Sequence, residues 1–161
     1  MQSLLISACL LGRECTYKGS SNKIKHICKL ADEIEFVEIC PEVMGGLPTP
    51  RSPSEITSIF PLTVTNKDGE DVTKEYQDGA NLSLKCLKQN DVQVVLLKHR
   101  SPSCGCDGIY DGSFSHVVVK GQGVCAKLLS DNGMILFHEE QINEFLKYIG
   151  KEEEYGTYFK D

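Results

Sequence analysis

The sequence predicts an α/β fold: a single three-layer domain with a mainly parallel sheet and helices on both faces. Three observations carry that prediction. Short apolar runs alternate with segments whose apolar residues recur at i, i+3, i+4 and i+7. Strands separated by helices pair in parallel through crossovers. The 161 residues suit one domain and can fill a core on each side of a sheet.

Each element has its own signal. Ser3–Ala8 is a short apolar run, read as a buried strand. Asn22 is placed to cap a helix over Lys23–Asp32, with Ile24, Ile27, Cys28 and Ala31 on one face. Glu35–Cys40 alternates and reads as a second strand. From Pro41 the chain is rich in Gly and Pro and reads as a loop. Leu62–Thr65 then gives a strand, with a turn at Asn66–Gly69. Thr73–Lys88 reads as a helix with Tyr76, Ala80, Leu84 and Leu87 on one stripe, although Gly79 weakens it. Val92–Lys98 is a strong strand and His99–Ser115 a second loop. Val117–Lys120 reads as a short strand, Gln122–Ser130 as a helix and Met134–Phe137 as the last strand. Glu139–Ile149 closes the series as a helix with Ile142, Phe145, Leu146 and Ile149 on one face. Residues 1–149 are read as one domain and residues 150–161 as a mobile C-terminal tail.

Composition excludes several classes of function. Seventeen Lys and Arg against 23 Asp and Glu give a net charge of −6, which argues against polymeric nucleic acid as a partner. No apolar run approaches the ~20 residues of a membrane span, and the N-terminus lacks the basic region of a signal peptide. The expected compartment is the cytosol. In a reducing compartment the eight cysteines point to packing, catalysis or metal rather than disulfides.

Ligands of a parallel sheet bind at the carboxyl ends of its strands. Three cysteines fall there: Cys9 after the first strand, Cys40 at the end of the second, and Cys104 in the loop after Val92–Lys98. Far apart in sequence, they are expected to converge on one rim. Cys28, Cys86 and Cys125 lie on apolar helix faces and read as packing, while Cys15 and Cys106 are intermediate. No Cys-x-x-Cys pair occurs, so the common zinc-ribbon and ferredoxin spacings are absent. Thiolates favour zinc, copper(I) or iron–sulfur, and spacing does not choose among them. Glu42 is a candidate general acid or base beside Cys40. Ser101 and Ser103 are candidate hydrogen-bond donors to a ligand, or turn formers around Pro102. Arg51 is a candidate contact for phosphate or carboxylate, or a surface ion pair. Gly121 and Gly123 precede a helix and offer amides to an anion.

Four segments together resemble one family. They are Ser7-Ala-Cys-Leu-Leu-Gly12 with Cys15-Thr-Tyr-Lys-Gly19, Cys40-Pro-Glu-Val-Met-Gly-Gly-Leu-Pro-Thr-Pro-Arg51, Ser101-Pro-Ser-Cys-Gly105 and Ile109-Tyr-Asp-Gly-Ser-Phe114. The chain resembles the thiouracil desulfidases over about residues 3–140. The resemblance implies a 4Fe–4S cluster held by Cys9, Cys40 and Cys104, with one iron free of protein and Cys15 as a reserve ligand. It implies Glu42 as catalytic carboxylate and Ser101 as catalytic hydroxyl. The implied reaction turns a thiocarbonyl into a carbonyl with loss of sulfide, on a thiolated pyrimidine or its nucleotide. For a nucleotide, Arg51, Gly121 and Gly123 are candidate phosphate contacts. The chain departs from the pattern at His116 and Cys125, where glycine and threonine are expected. Two other readings stand beside this one. One is a hydro-lyase using the same open iron. The other is a zinc or iron–sulfur binding or sensing module with Cys15 or Cys106 closing the site.

Overall fold

β1 (Ser3–Ser7) enters the interior directly, with Leu4, Leu5 and Ile6 fully buried. The structure, a computed structural model, describes residues 3–151, so the expected tail lies outside the described residues from position 152 on. A 3₁₀ turn at Ala8–Leu11 follows β1 and carries Cys9. α1 (Lys25–Leu30) is shorter than predicted. Asn22 does not cap it. The first helical residue follows Ile24, and the Asn22 amide instead donates to Cys9 Sγ at 3.5 Å. β2 (Glu35–Ile39) runs into α2 (Pro41–Met44), one helical turn with Pro at its start, where the sequence reads as loop.

β3 (Ser54–Ile59) and β4 (Leu62–Asn66) form an antiparallel hairpin of which the sequence shows only the second strand. Its end is marked by Asn66, whose side-chain oxygen accepts from the amides of Asp68 and Glu70. α3 (Thr73–Gln89) buries Tyr76, Ala80 and Leu87. β5 (Val94–Leu97) is buried at every position. β6 (Ile109–Tyr110), another unforeseen strand, pairs antiparallel with β7 (Val118–Val119). α4 (Val124–Asp131), β8 (Ile135–His138), a 3₁₀ turn at Glu139–Gln141 and α5 (Ile142–Tyr148) complete the described chain.

The main sheet has the order β2-β1-β5-β8 and every pairing in it is parallel. Alternation along the strands divides the core in two. Leu4, Ile6, Val94 and Leu96 face α1 and α5, meeting Ile27, Leu30, Phe145 and Leu146. Leu5, Ile39, Val95 and Leu97 face α3 and α4, meeting Ala80, Leu87, Ala126 and Leu129. Each of the valine, leucine, isoleucine and phenylalanine side chains among them contributes about 1.5–3 kcal/mol on burial. The predicted layers are therefore present, with the two small hairpins added beside the sheet. Among the described residues, no helix is long and apolar enough to cross a membrane.

Glycine settles how α2 sits. A Cβ on Gly79 would lie 1.8 Å from the Pro41 carbonyl oxygen, and one on Gly45 would lie 1.9 Å from Glu75 O. The backbones of α2 and α3 touch, which fixes the turn that carries Cys40 and Glu42.

Candidate active site

The chain passes from β1 to β2 on one side and returns to β5 on the other, so a crevice opens beyond the carboxyl ends of these strands. A cavity of about 620 Å³ occupies that position. Ser7, Ile39 and Lys98, at or just past the ends of β1, β2 and β5, form its floor. Cys9, Cys15, Cys40 and Cys104 all line it, with Glu42, Arg51 and Ser101. The convergence expected from the sequence is what the fold produces.

Each cysteine owes its place to local structure. Cys9 is buried in the 3₁₀ turn, its carbonyl accepting from the amides of Gly12 and Asn22. Cys40 stands at the N-terminus of α2. Cys104 follows a turn organised by Ser101, whose Oγ accepts from the amides of Ser103 (3.1 Å) and Cys104 (3.0 Å).

Electrostatics separates the four thiols. Burial raises Cys9, against a hydrogen bond from Asn22 that lowers it. Burial raises Cys104 well above the ordinary thiol value, and Cys125, Glu42 and Cys9 add to the rise. Cys40 is lowered, chiefly by the Cys15 S–H, with the Val43 amide and Arg51 helping. Cys15 is raised in consequence, so the thiolate of this pair resides on Cys40. When protonated, Cys40 lies 3.7 Å from the Cys15 carbonyl and donates to it.

Glu42 and Arg51 form an ion pair at 3.2 Å with both side chains largely buried. The guanidinium also donates to the carbonyls of Cys15 (2.9 Å) and Pro48 (3.1 Å) and to Thr49 Oγ1 (3.2 Å). Arg51 thus holds Glu42 and two loops while lining the cavity. Ser103 is fully buried, does not line the cavity, and its Oγ has no hydrogen-bond partner. Gly121 and Gly123 do not line it either. A Cβ on Gly123 would lie 2.5 Å from the Ser103 carbonyl, and one on Gly121 would meet Ile109 at 3.1 Å. These two glycines serve close packing of the Cys104 loop and β6 against the start of α4.

Tyr76 and Lys98 line the cavity without being singled out as site residues by the sequence. Tyr76 takes its place on the apolar stripe of α3 and is buried, yet its hydroxyl bonds Ser54 and stands near Glu42 and Arg51. Burial pushes that phenol far above its usual value, so it stays neutral. A tyrosine on an otherwise aliphatic stripe was the available signal. Lys98, the residue after β5, pairs with Glu139 at 2.9 Å. His116 adopts φ +60°, a conformation glycine takes without cost, at a position where the family pattern leads one to expect glycine.

The model of the 2-thiouracil desulfurase family matches residues 4–141. The chain belongs to the 2-thiouracil desulfurase family. A Bacillus subtilis (strain 168) protein, the uncharacterized YbbK, is 43% identical over 150 residues, covering 89% of this chain and 99% of that one. A solved structure, that of the [4Fe-4S]-dependent thiouracil desulfidase TudS, superposes with a TM-score of 0.87 at 38% identity. That alignment covers 93% of this desulfurase-family chain and 99% of TudS.

Proposed function

We propose that this protein removes sulfur from a thiolated uracil or its nucleotide, without net redox change, using a 4Fe–4S cluster held by Cys9, Cys40 and Cys104. The observation that carries the reading is the meeting of Cys9, Cys40 and Cys104, from three separate segments, with Glu42 and Ser101 around one cavity, which Cys15 and Glu55 also line. The likeness to TudS, whose name states both the cluster and the activity, supports it.

The donor set fits such a cluster. Thiolates are the ligands iron–sulfur centres take. Burial raises two of the three thiols, so binding the centre would have to displace their protons, which a cationic centre can do. A single tetrahedral zinc would need sulfurs about 3.8 Å apart at a Zn–S distance of about 2.3 Å. Among the described residues, the group whose ligand atoms lie within 4.8 Å of one another is His99, His138 and Glu140, not the cysteines. The wider cysteine set favours a cluster over a closed one-ion module.

When bound, the cluster supplies Lewis acidity toward a soft sulfur at an iron without a protein ligand. The chain supplies the rest. Ser101 has both lone pairs engaged by the Ser103 and Cys104 amides, so its O–H faces outward as a donor. It orients the heterocycle through a ring or exocyclic acceptor. Glu42, held by Arg51, takes a proton from water as that water attacks the thiocarbonyl carbon. It returns that proton to the departing sulfur as the C–S bond breaks. Water's oxygen stays on carbon as the carbonyl, its remaining proton passes to solvent, and sulfur leaves as hydrosulfide. Tyr76, neutral and buried, keeps that wall of the cavity hydrogen-bonded without adding charge.

The test is anaerobic reconstitution followed by assay. Iron and acid-labile sulfide are expected in equal amounts, with sulfide and uracil formed together from 2-thiouracil. Glu42→Gln is expected to lower kcat by about 10²–10⁴-fold while iron content holds. Zinc without labile sulfide, dehydration of a hydroxy acid in place of desulfuration, or full turnover by Glu42→Gln overturns the proposal.

A further inference from the structure

The segment between β6 and β7 is held more firmly than a surface connection requires. Glu55, on β3, is a buried carboxylate whose Oε1 accepts from the amides of Gly112 (2.9 Å) and Phe114 (3.2 Å). Gly112 is pressed onto β3, where a Cβ would lie 2.8 Å from Ile56 O. Asp111 Oδ1 accepts from the Ser113 amide at 2.9 Å, and the Asp111 amide donates to Val117 O at 2.9 Å. Inside this brace two bulky residues take left-handed backbone, Phe114 at φ +59° and His116 at φ +60°. Non-glycine residues stay in that region only where their surroundings over-determine them, and such positions cluster at ligand clamps.

What the brace achieves is the placing of rings. Tyr110, Phe114 and His116 all line the cavity that holds the cysteines, and Tyr110 meets His116 edge-on with centroids 5.8 Å apart. An aromatic wall attracts the face of a flat unsaturated ring and leaves its edge groups free. The edge of a thiolated pyrimidine carries its C=S, which then addresses Cys9, Cys40, Cys104, Ser101 and Glu42.

We infer that Phe114 is the surface on which the face of the substrate ring packs, and that Glu55 is the positioning residue that holds it there. The inference rests on the desulfidase reading for the identity of the ring and adds a selectivity to it. Heteroaromatic thiocarbonyls are favoured over acyclic ones that present the same N–C(=S)–N edge, such as thiourea.

The test compares 2-thiouracil with thiourea in the cluster-loaded enzyme. Phe114→Ala is expected to raise KM for 2-thiouracil at least ten-fold, with a smaller fall in kcat, and to cut the preference over thiourea at least ten-fold. Phe114→Tyr restores both. Glu55→Ala reproduces the KM change without touching the ring, and Glu55→Gln, which keeps an acceptor oxygen, recovers part of it. A second readout needs no turnover: saturation-transfer NMR from aromatic protons of the full-length protein to uracil, lost in Phe114→Ala. Sulfide release by the wild type with KM within two-fold in Phe114→Ala, or an equal loss for thiourea, overturns the inference and leaves the desulfidase reading intact. Absence of sulfide release by the wild type overturns that reading instead, and the uracil signal then decides the wall alone.

Discussion

Arg51 commits its guanidinium to Glu42 and to the carbonyls of Cys15 and Pro48, and this decides what its removal does. Glu42 would lose the partner that orients it, and the Cys15 loop would lose its tie to the segment after α2. Displacing a catalytic group by about 1 Å can cost about 10²-fold. Arg51→Ala is therefore expected to lower kcat by about 10–10²-fold on free base and nucleotide alike. Arg51→Lys should recover little, because one ammonium cannot span the same acceptors. A loss confined to KM for the nucleotide would return Arg51 to the phosphate role. The contrast with the cysteines shows what a sequence conveys at this scale. Cys9, Cys40 and Cys104 are legible because strand ends locate them. Arg51 reads as an anion contact because nothing local shows that a carbonyl 36 residues earlier takes one of its donors. Asn22 reads as a helix cap for the same reason, while the fold turns it to Cys9.

The elements that patterning reveals are those with long apolar periodicity, and the ones it hides are short or half-exposed. α2 is a single turn inside a Gly/Pro-rich stretch, and β3 mixes polar and apolar residues on a hairpin with one open face. Both matter to the site, since α2 carries Glu42 and β3 carries Glu55. Gly79 is the sequence's trace of α2. It weakens a helix in isolation, yet it is where the Pro41 backbone presses on α3. On a free helix face Gly→Ala stabilises by about 0.5–1 kcal/mol. Here the sign reverses. Gly79→Ala is expected to cost about 1–3 kcal/mol in chemical denaturation and to reduce activity by shifting Glu42; an increase in stability would contradict the contact. The turn into α5 carries a pH dependence. His138 Nδ1 accepts from the Glu140 amide at 3.1 Å, which requires neutral imidazole, and its ring stacks on His99 at 4.0 Å. Burial and then His99 lower its pKa, so the unfolded chain takes up a proton near pH 6.5 before the folded one does. The stability this contributes is complete above pH 6.5 and is lost as pH falls through the lowered value. His138→Asn, which keeps a side-chain acceptor, should flatten the fall in melting temperature between pH 6.5 and 5.

At the scale of the whole molecule, the layers and the parallel sheet follow from patterning, whereas the state of the thiols depends on burial that no pattern displays. Cys9 and Cys104 come from segments about a hundred residues apart, and both are raised by burial. Without a bound centre the folded chain keeps these protons above pH 9, where the unfolded chain gives them up. Cys125, pushed up to about 12 by burial, does the same. The unloaded protein therefore binds more protons than its unfolded form in that range, and its stability falls as pH rises past 9. The slope approaches about 1.4 kcal/mol per pH unit for each such thiol. Loading reverses the sign for the ligands. Thiolates bound to iron carry no proton, while the unfolded chain protonates them below pH 9, so stability rises with pH up to that point. A bound centre also joins the loops after β1, β2 and β5, and a gain of even 3 kcal/mol would raise the melting temperature by roughly 6–12 °C. Melting curves from pH 7 to 10 should therefore rise steeply for the loaded protein to about pH 9, whereas the unloaded one rises less, through the lowered Cys40 alone, and falls past pH 9. Replacing Cys125 by Ala should shorten the unloaded fall and leave the loaded rise in place, because Cys125 is no ligand in the proposed set. Parallel curves for the two forms would mean that the cysteines of the cavity do not hold the centre.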